Sequence, residues 1–178
     1  MASDQPAEII IRGEAVAERP TSDEILRQAY GRDDELRLAA ALRVAAEFNP
    51  NLSIVAANGG ELLGYALYSR VTIIGSTGVV PAAALAVLGV RPERRKLGVG
   101  ERLVRHGLER CRGLGVDLVF AMVRPDFFAR LGFRAAVPEG LTPDLVLPSE
   151  QFSVFDLNGS RLGRVKGTVS FPAAFRGS

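Results

Sequence analysis

The chain has 178 residues, 47% of them hydrophobic, which suggests one domain spanning 1–178 with a core that needs neither disulfides nor metal. A single cysteine, Cys111, excludes an internal disulfide, and a single histidine, His106, argues against a structural zinc site. A formal charge of only +2 argues against a general nucleic-acid binder, although the basic residues are almost all arginine and cluster locally.

Taken in chain order, the acidic and then strand-like "MASDQPAEIIIRGE" does not read as a signal peptide. No apolar run reaches membrane-spanning length, so a cytoplasmic protein that does not contact membrane is expected. "EIIIRG" (8–13) reads as a first strand. "TSDEILRQAYG" carries a Ser or Thr cap, early acids and a closing glycine, and predicts a short helix. "DDELRLAAALRVAAEF" predicts a second helix, with Leu36, Ala39, Ala40 and Val44 on its apolar face and arginines opposite. Strand "LSIVAA" is followed by the hairpin signal "NGG" and the long strand "ELLGYALYSRVTII". After the turn "STG", the apolar run "AAALAVLGV" (82–90) reads as a strand buried on both faces.

A helix follows from about Gly98. At 100° per residue, Gly100, Leu103, Val104, Gly107, Leu108, Cys111 and Leu114 share one face, with Glu101, Arg102, Arg105, Glu109 and Arg112 opposite. His106 falls on the flank as a surface residue, and Cys111 in the stripe as a small buried one. "VDLVFAMV" is the next strand, "RPDFFARLGF" a short helix closed by Gly132, and 151–175 strands and turns. The sum is a mixed α/β sheet with at least one crossover.

Glycines in the first turn of a helix cost about 1 kcal/mol each against alanine, so Gly98 and Gly100 ask for another reason. Unpaired N–H groups at a helix start attract anions, glycine lets a phosphate approach the backbone, and Arg91, Arg94, Arg95 and Lys96 add charge and donors. The physical reading is a pyrophosphate cradle after a sheet strand. The nucleotide P-loop pattern is absent, and Leu103 breaks the dinucleotide pattern at its third glycine.

What remains, Arg95-x-x-Gly98-x-Gly100 after "LGVRPE", resembles the acyl-CoA-binding motif [QR]-x-x-G-x-[GA] of the GNAT acyltransferase superfamily. "FFARLGF" (127–133) resembles that superfamily's Y-x-K-x-G-F-like segment, and "GTVSFPAAF" resembles the tail of one group of small bacterial acetyltransferases. The resemblance implies a GNAT-like fold: a mixed, mostly antiparallel central sheet flanked by helices. It implies acetyl-CoA as co-substrate, no metal, and transfer of acetyl to a primary amine of a small molecule or peptide. By position, Arg95, Lys96, Leu97, Gly98, Val99 and Gly100 would hold the pyrophosphate. Leu88, Gly89 and Val90 would offer main-chain groups to pantetheine, with Phe128 beside the thioester. A homodimer is compatible with it.

Phe128 departs from the pattern, because the superfamily often has a tyrosine there as the acid for the leaving thiolate. That departure keeps open a non-catalytic acyl-CoA-binding or regulatory domain. Water, Tyr30, Tyr65 or Tyr68 are the substitutes as acid. Glu35, Glu61 and Asp126 are candidate bases, none of them singled out by the sequence. Glu93 and Glu101 flank the loop as charge balance or helix-start acids. In this fold the acceptor site would draw on Tyr30, Asp33, Asp34, Phe48 and Phe152.

Overall fold

In the computed structural model, which describes residues 8–177, the chain runs through nine strands and four α-helices. These are β1 (Ile10–Gly13), α1 (Arg19–Tyr30), α2 (Asp34–Arg43), β2 (Ser53–Asn58), β3 (Glu61–Gly75) and β4 (Gly78–Val90), then α3 (Val99–Gly113), β5 (Leu118–Met122), α4 (Pro125–Arg130), β6 (Arg134–Ala135), β7 (Leu141–Pro143), β8 (Phe152–Asp156) and β9 (Gly167–Ser170). The sheet order is β1-β2-β3-β4-β5-β8-β6, with β9 on the far half of β3 and β7 beside β9. Only β4–β5 and β7–β9 are parallel, so the sheet is mixed and mostly antiparallel, as expected.

The turn at Asn58-Gly59-Gly60 forms where the sequence marks it. Gly59 and Gly60 both have positive φ, 55° and 94°, as a two-residue hairpin turn requires. Alternation then divides the sheet's two faces. Ile54, Ala56, Leu63 and Ala66 pack with Val99, Leu103, Val104 and Leu108 of α3. Val55, Ala57, Leu62 and Leu67 pack on the other face with Ile25 and Leu26 of α1 and Ala39 and Leu42 of α2. Cys111 is fully buried within the α3 stripe, as read from the sequence.

Three expectations need correction. α1 begins at Arg19, ahead of the Ser/Thr cap, because Pro20 fits the first turn of a helix, where its missing N–H costs nothing. β4 begins at Gly78 rather than Ala82, because Val79 and Val80 continue the ladder opposite Ile74 and Ile73. α2 stops at Arg43 and buries a different face: Ala39, Leu42 and Arg43 go inward while Ala40 and Val44 are exposed. The cause is Arg43, whose guanidinium reaches Glu14 at 2.9 Å and Asp23 at 2.6 Å and lies 4.9 Å from the Tyr65 ring centroid. That set of partners draws the charge into the interior and turns the helix with it.

Two irregularities in β4 shape one edge of the molecule. Leu67 stands opposite Val87 but Tyr68 opposite Leu85, so Ala86 is an extra residue in a β-bulge. β4 and β5 pair only at Ala83–Val119 and Ala84–Phe120, so the two strands part before β4 ends.

Candidate active site

The parting strands leave main-chain groups of β4 without a sheet partner. Arg91 donates its N–H to Leu63 on β3 at 2.8 Å, which fixes the alternation of the antiparallel pair. Gly89, two residues earlier, therefore turns its groups toward β3, while Leu88 and Val90 turn theirs into the gap. Gly89 was expected to offer its backbone there. Its place in the packing gives it another role: a Cβ would lie 3.1 Å from Leu26 and 3.4 Å from Ala29, so the bare Cα lets α1 close on the sheet.

Past Val90 the chain forms the basic loop and enters α3. Lys96 and Gly98 both adopt left-handed backbone, φ 71° and 74°. The first helical bond runs from Arg102 N–H to Gly98 C=O at 3.1 Å. The N–H groups of Val99, Gly100 and Glu101 therefore have no intrahelical acceptor and point out of the helix start. A cavity of about 660 Å³ lies against them, lined by Arg94, Arg95, Lys96, Arg124 and Arg130 around Gly98–Gly100. Arg95 is braced by a 3.1 Å bond to Ala29 C=O, and Arg94 pairs with Glu61 at 3.0 Å. Leu97 points to solvent, 56% exposed, and does not line this cavity. A concave set of free N–H groups ringed by guanidinium can bind a diphosphate.

A second cavity, about 330 Å³, opens on the other side of the gap. Its walls are largely apolar, with Leu38, Leu85, Met122, Phe128 and Leu147, and Asp34 and Glu35 stand in its lining. Arg32 holds Glu35 through a 2.5 Å bond. Tyr30, Leu88 and Arg124 line both cavities and so mark the neck between them. There the Tyr30 hydroxyl donates to Leu88 C=O at 2.8 Å and accepts from Leu88 N–H at 3.4 Å. Tyr30 keeps 38% of its surface exposed, while the packing around its hydroxyl pushes the pKa up against the opposing effect of the bond to Leu88. Across the neck, Val123 and Arg124 both have positive φ, 64° and 50°, which is unusual for a β-branched residue. This turn lays the Arg124 guanidinium over Phe127, 4.7 Å from the ring centroid.

Several sequence candidates lie elsewhere. Tyr65 is buried and its hydroxyl bonds Ser53 at 2.9 Å; Tyr68 is buried and donates to Val104 C=O at 2.9 Å. Phe152 is fully buried, stacked on Phe120 at 5.0 Å, so it is a core residue rather than an acceptor contact. Phe48 packs under Arg19 near Leu42, away from both cavities. Asp33 bonds Arg27, and neither it nor Asp126 lines either cavity. Phe128 lines the smaller cavity and packs in the aromatic row Phe127–Phe128–Phe133. Arg124 and Arg130 were not among the sequence candidates, although Arg130 lies within "FFARLGF" at the lysine position of the Y-x-K-x-G-F pattern and Arg124 three residues before that segment.

The model of the acetyltransferase (GNAT) family matches residues 19–133, which carry the neck, the loop and α3. The chain belongs to the GNAT acetyltransferase family. It is 33% identical over 128 residues to YjhQ of Escherichia coli K12, an uncharacterized N-acetyltransferase, covering 71% of each chain. YhbS of the same strain, also an uncharacterized N-acetyltransferase, is 27% identical across 94% of this chain and 98% of its own. The 1.55 Å crystal structure of E. coli YhbS in complex with CoA superposes with a TM-score of 0.89 at 26% identity, covering 99% and 96% of the two chains. A Brucella melitensis GNAT acetyltransferase in complex with acetyl-CoA superposes with a TM-score of 0.74 at 26% identity, covering 95% and 99%.

Proposed function

We propose that the protein is an acyl-CoA-dependent N-acetyltransferase that moves acetyl from acetyl-CoA directly to a primary amine of a small molecule or peptide. The observation that carries this reading is the meeting of two unlike cavities at Leu88. One is cationic and floored by a helix start, suited to a pyrophosphate. The other is apolar with carboxylates, suited to an amine on an apolar stem. The names of the CoA-bound and acetyl-CoA-bound relatives support the same cofactor here.

In this reading the N–H groups at Val99 and Gly100, with Arg95, Lys96 and Gly98, receive the pyrophosphate. The pantetheine arm runs along the open edge of β4 past Val90 and Leu88. The thioester then reaches the neck, where the Leu88 N–H can stabilise the oxygen that becomes anionic as the amine attacks. Direct transfer follows from the chemistry of the available nucleophile. Cys111 is buried under α3 and burial pushes its thiol pKa up to about 12, so it does not form an acyl-enzyme. The amine must arrive neutral, and the apolar cavity favours the uncharged form by desolvation.

The test is incubation with acetyl-CoA and a broad panel of amines, following free thiol and the mass of the amine product. Amine-dependent thiol release with an acetylated product is expected. Phe128 offers no proton, and tight binding of acetyl-CoA without thiol release from any amine would support the non-catalytic acyl-CoA-binding domain instead.

A further inference from the structure

We infer that Tyr30 is the acid of the transfer reaction, donating its hydroxyl proton to the sulfur as CoA leaves. The inference rests on the acetyltransferase reading above and adds the residue that the sequence pattern lacks. When the tetrahedral adduct collapses, the C–S bond breaks and its electron pair goes to sulfur. The Tyr30 O–H proton passes to that sulfur to give the free thiol. The phenolate is then reprotonated by the proton that the attacking amine releases, carried by solvent, so the enzyme is restored.

Position selects Tyr30. It is one of three residues common to both cavities, and the other two, Leu88 and Arg124, have no proton to give at neutral pH. Among the remaining polar groups of the smaller cavity, Glu35 is engaged as an acceptor by Arg32, and Asp34 lies 3.8 Å from the same guanidinium. Lys96 stands at the far end of the larger cavity, in the loop before α3. Phe128 faces the smaller cavity with a bare ring. Of the chain's three tyrosines, Tyr65 and Tyr68 are committed within the core.

The hydroxyl's present bonds explain how the acid becomes available. It occupies both main-chain groups of Leu88, the groups left over where β4 and β5 part. A cofactor that pairs with this edge needs the same N–H and C=O. Its arrival displaces the phenol from the carbonyl and leaves the O–H free at the neck, beside the bond to be broken. Desolvation keeps the phenol protonated until the thiolate forms.

The experiment compares wild type with Tyr30→Phe on two acyl donors: acetyl-CoA and its selenoester analogue, whose selenolate is a weaker base and departs without a proton. CoA affinity of each protein is measured by calorimetry, which also reports that the variant is folded. The variant is expected to bind CoA as well as wild type or better, since Leu88 is freed. Its kcat with acetyl-CoA should fall by about 10²-fold, in the range of general acid catalysis, while kcat with the selenoester stays close to wild type. Unchanged kcat with acetyl-CoA overturns the inference. An equal loss on both donors also overturns it, because the ring would then only position the acyl group. A wild type that binds CoA but releases no thiol with any amine fails at the acetyltransferase reading itself, and the inference falls with it.

Discussion

Gly100 and Gly107 lie on the same stripe of α3 and are small for different reasons. A Cβ on Gly107 would sit 2.0 Å from the Tyr68 ring, which crosses the helix there to reach Val104 C=O. Gly107→Ala should cost about 1–3 kcal/mol in chemical denaturation, because the buried ring has to move and its hydrogen bond stretches. At Gly100 a Cβ would make ordinary 3.7 Å contacts with Val90 and Phe127, on the wall of the larger cavity. Gly100→Val should therefore fold yet weaken CoA binding by about tenfold or more, some 1.4 kcal/mol, whereas exposed Glu109→Ala should leave it unchanged. Calorimetric titration of both variants checks the contrast. Gly98 has a conformational reason as well: its φ is 74°, and no protein atom lies within 4 Å of a Cβ on this wall of the cavity.

The elements with one dominant period were legible in the sequence. α3 was readable as an amphipathic helix, and the β2–β3 hairpin followed from its glycines. The stripe of α2 was misread because a side chain counted as polar and outward, Arg43, is 4% exposed and anchored by Glu14, itself 2% exposed. Glu14→Ala leaves Asp23, 2.6 Å away, as the remaining carboxylate partner of Arg43 and should destabilise the fold by about 1–3 kcal/mol; an effect below about 0.5 kcal/mol in urea unfolding would show the Glu14 bond to be expendable. β6 and β7 are two and three residues long, too short to carry a period, and were not seen. At the site, the phosphate-type loop was legible because Gly98 and Gly100 stand together at a helix start beside Arg94, Arg95 and Lys96. The parting of β4 from β5 left no mark, since both strands read as apolar runs. Tyr30 reaches Leu88 across 58 residues of sequence, a contact that depends on how α1 seats against Gly89.

The loop after β8 gives a pH test at the same scale. Burial tends to raise the Asp156 pKa, but N–H groups of Leu162, Arg161, Asn158 and Gly159 outweigh it and hold the carboxyl below its usual value. A carboxyl with a depressed folded pKa contributes stability above its unfolded value, near 3.9, and that contribution is lost as pH falls through the folded one. The protection factors of the amides at 158, 159, 161 and 162, taken relative to the intrinsic rate at each pH, should therefore fall at the acid end in wild type. They should be low already at neutral pH in Asp156→Ala.

Across the described residues, helices cover both faces of one sheet, and the sheet opens at a seam between β4 and β5. Both cavities lie along that seam, with most of the cationic groups gathered at the α3 end and Asp34 and Glu35, paired with Arg32, at the α1–α2 end. A fold that leaves a seam in its own sheet gains stability when a ligand fills it. The most direct measurement is the thermal midpoint with and without acetyl-CoA, in metal-free buffer. At about 100 times Kd the bound state gains about 2.7 kcal/mol. For a chain of this length that is a rise of roughly 5–11 °C, and Gly100→Val should lose most of it. An unchanged midpoint in wild type at millimolar acetyl-CoA would contradict the cofactor site, and with it the proposed reaction.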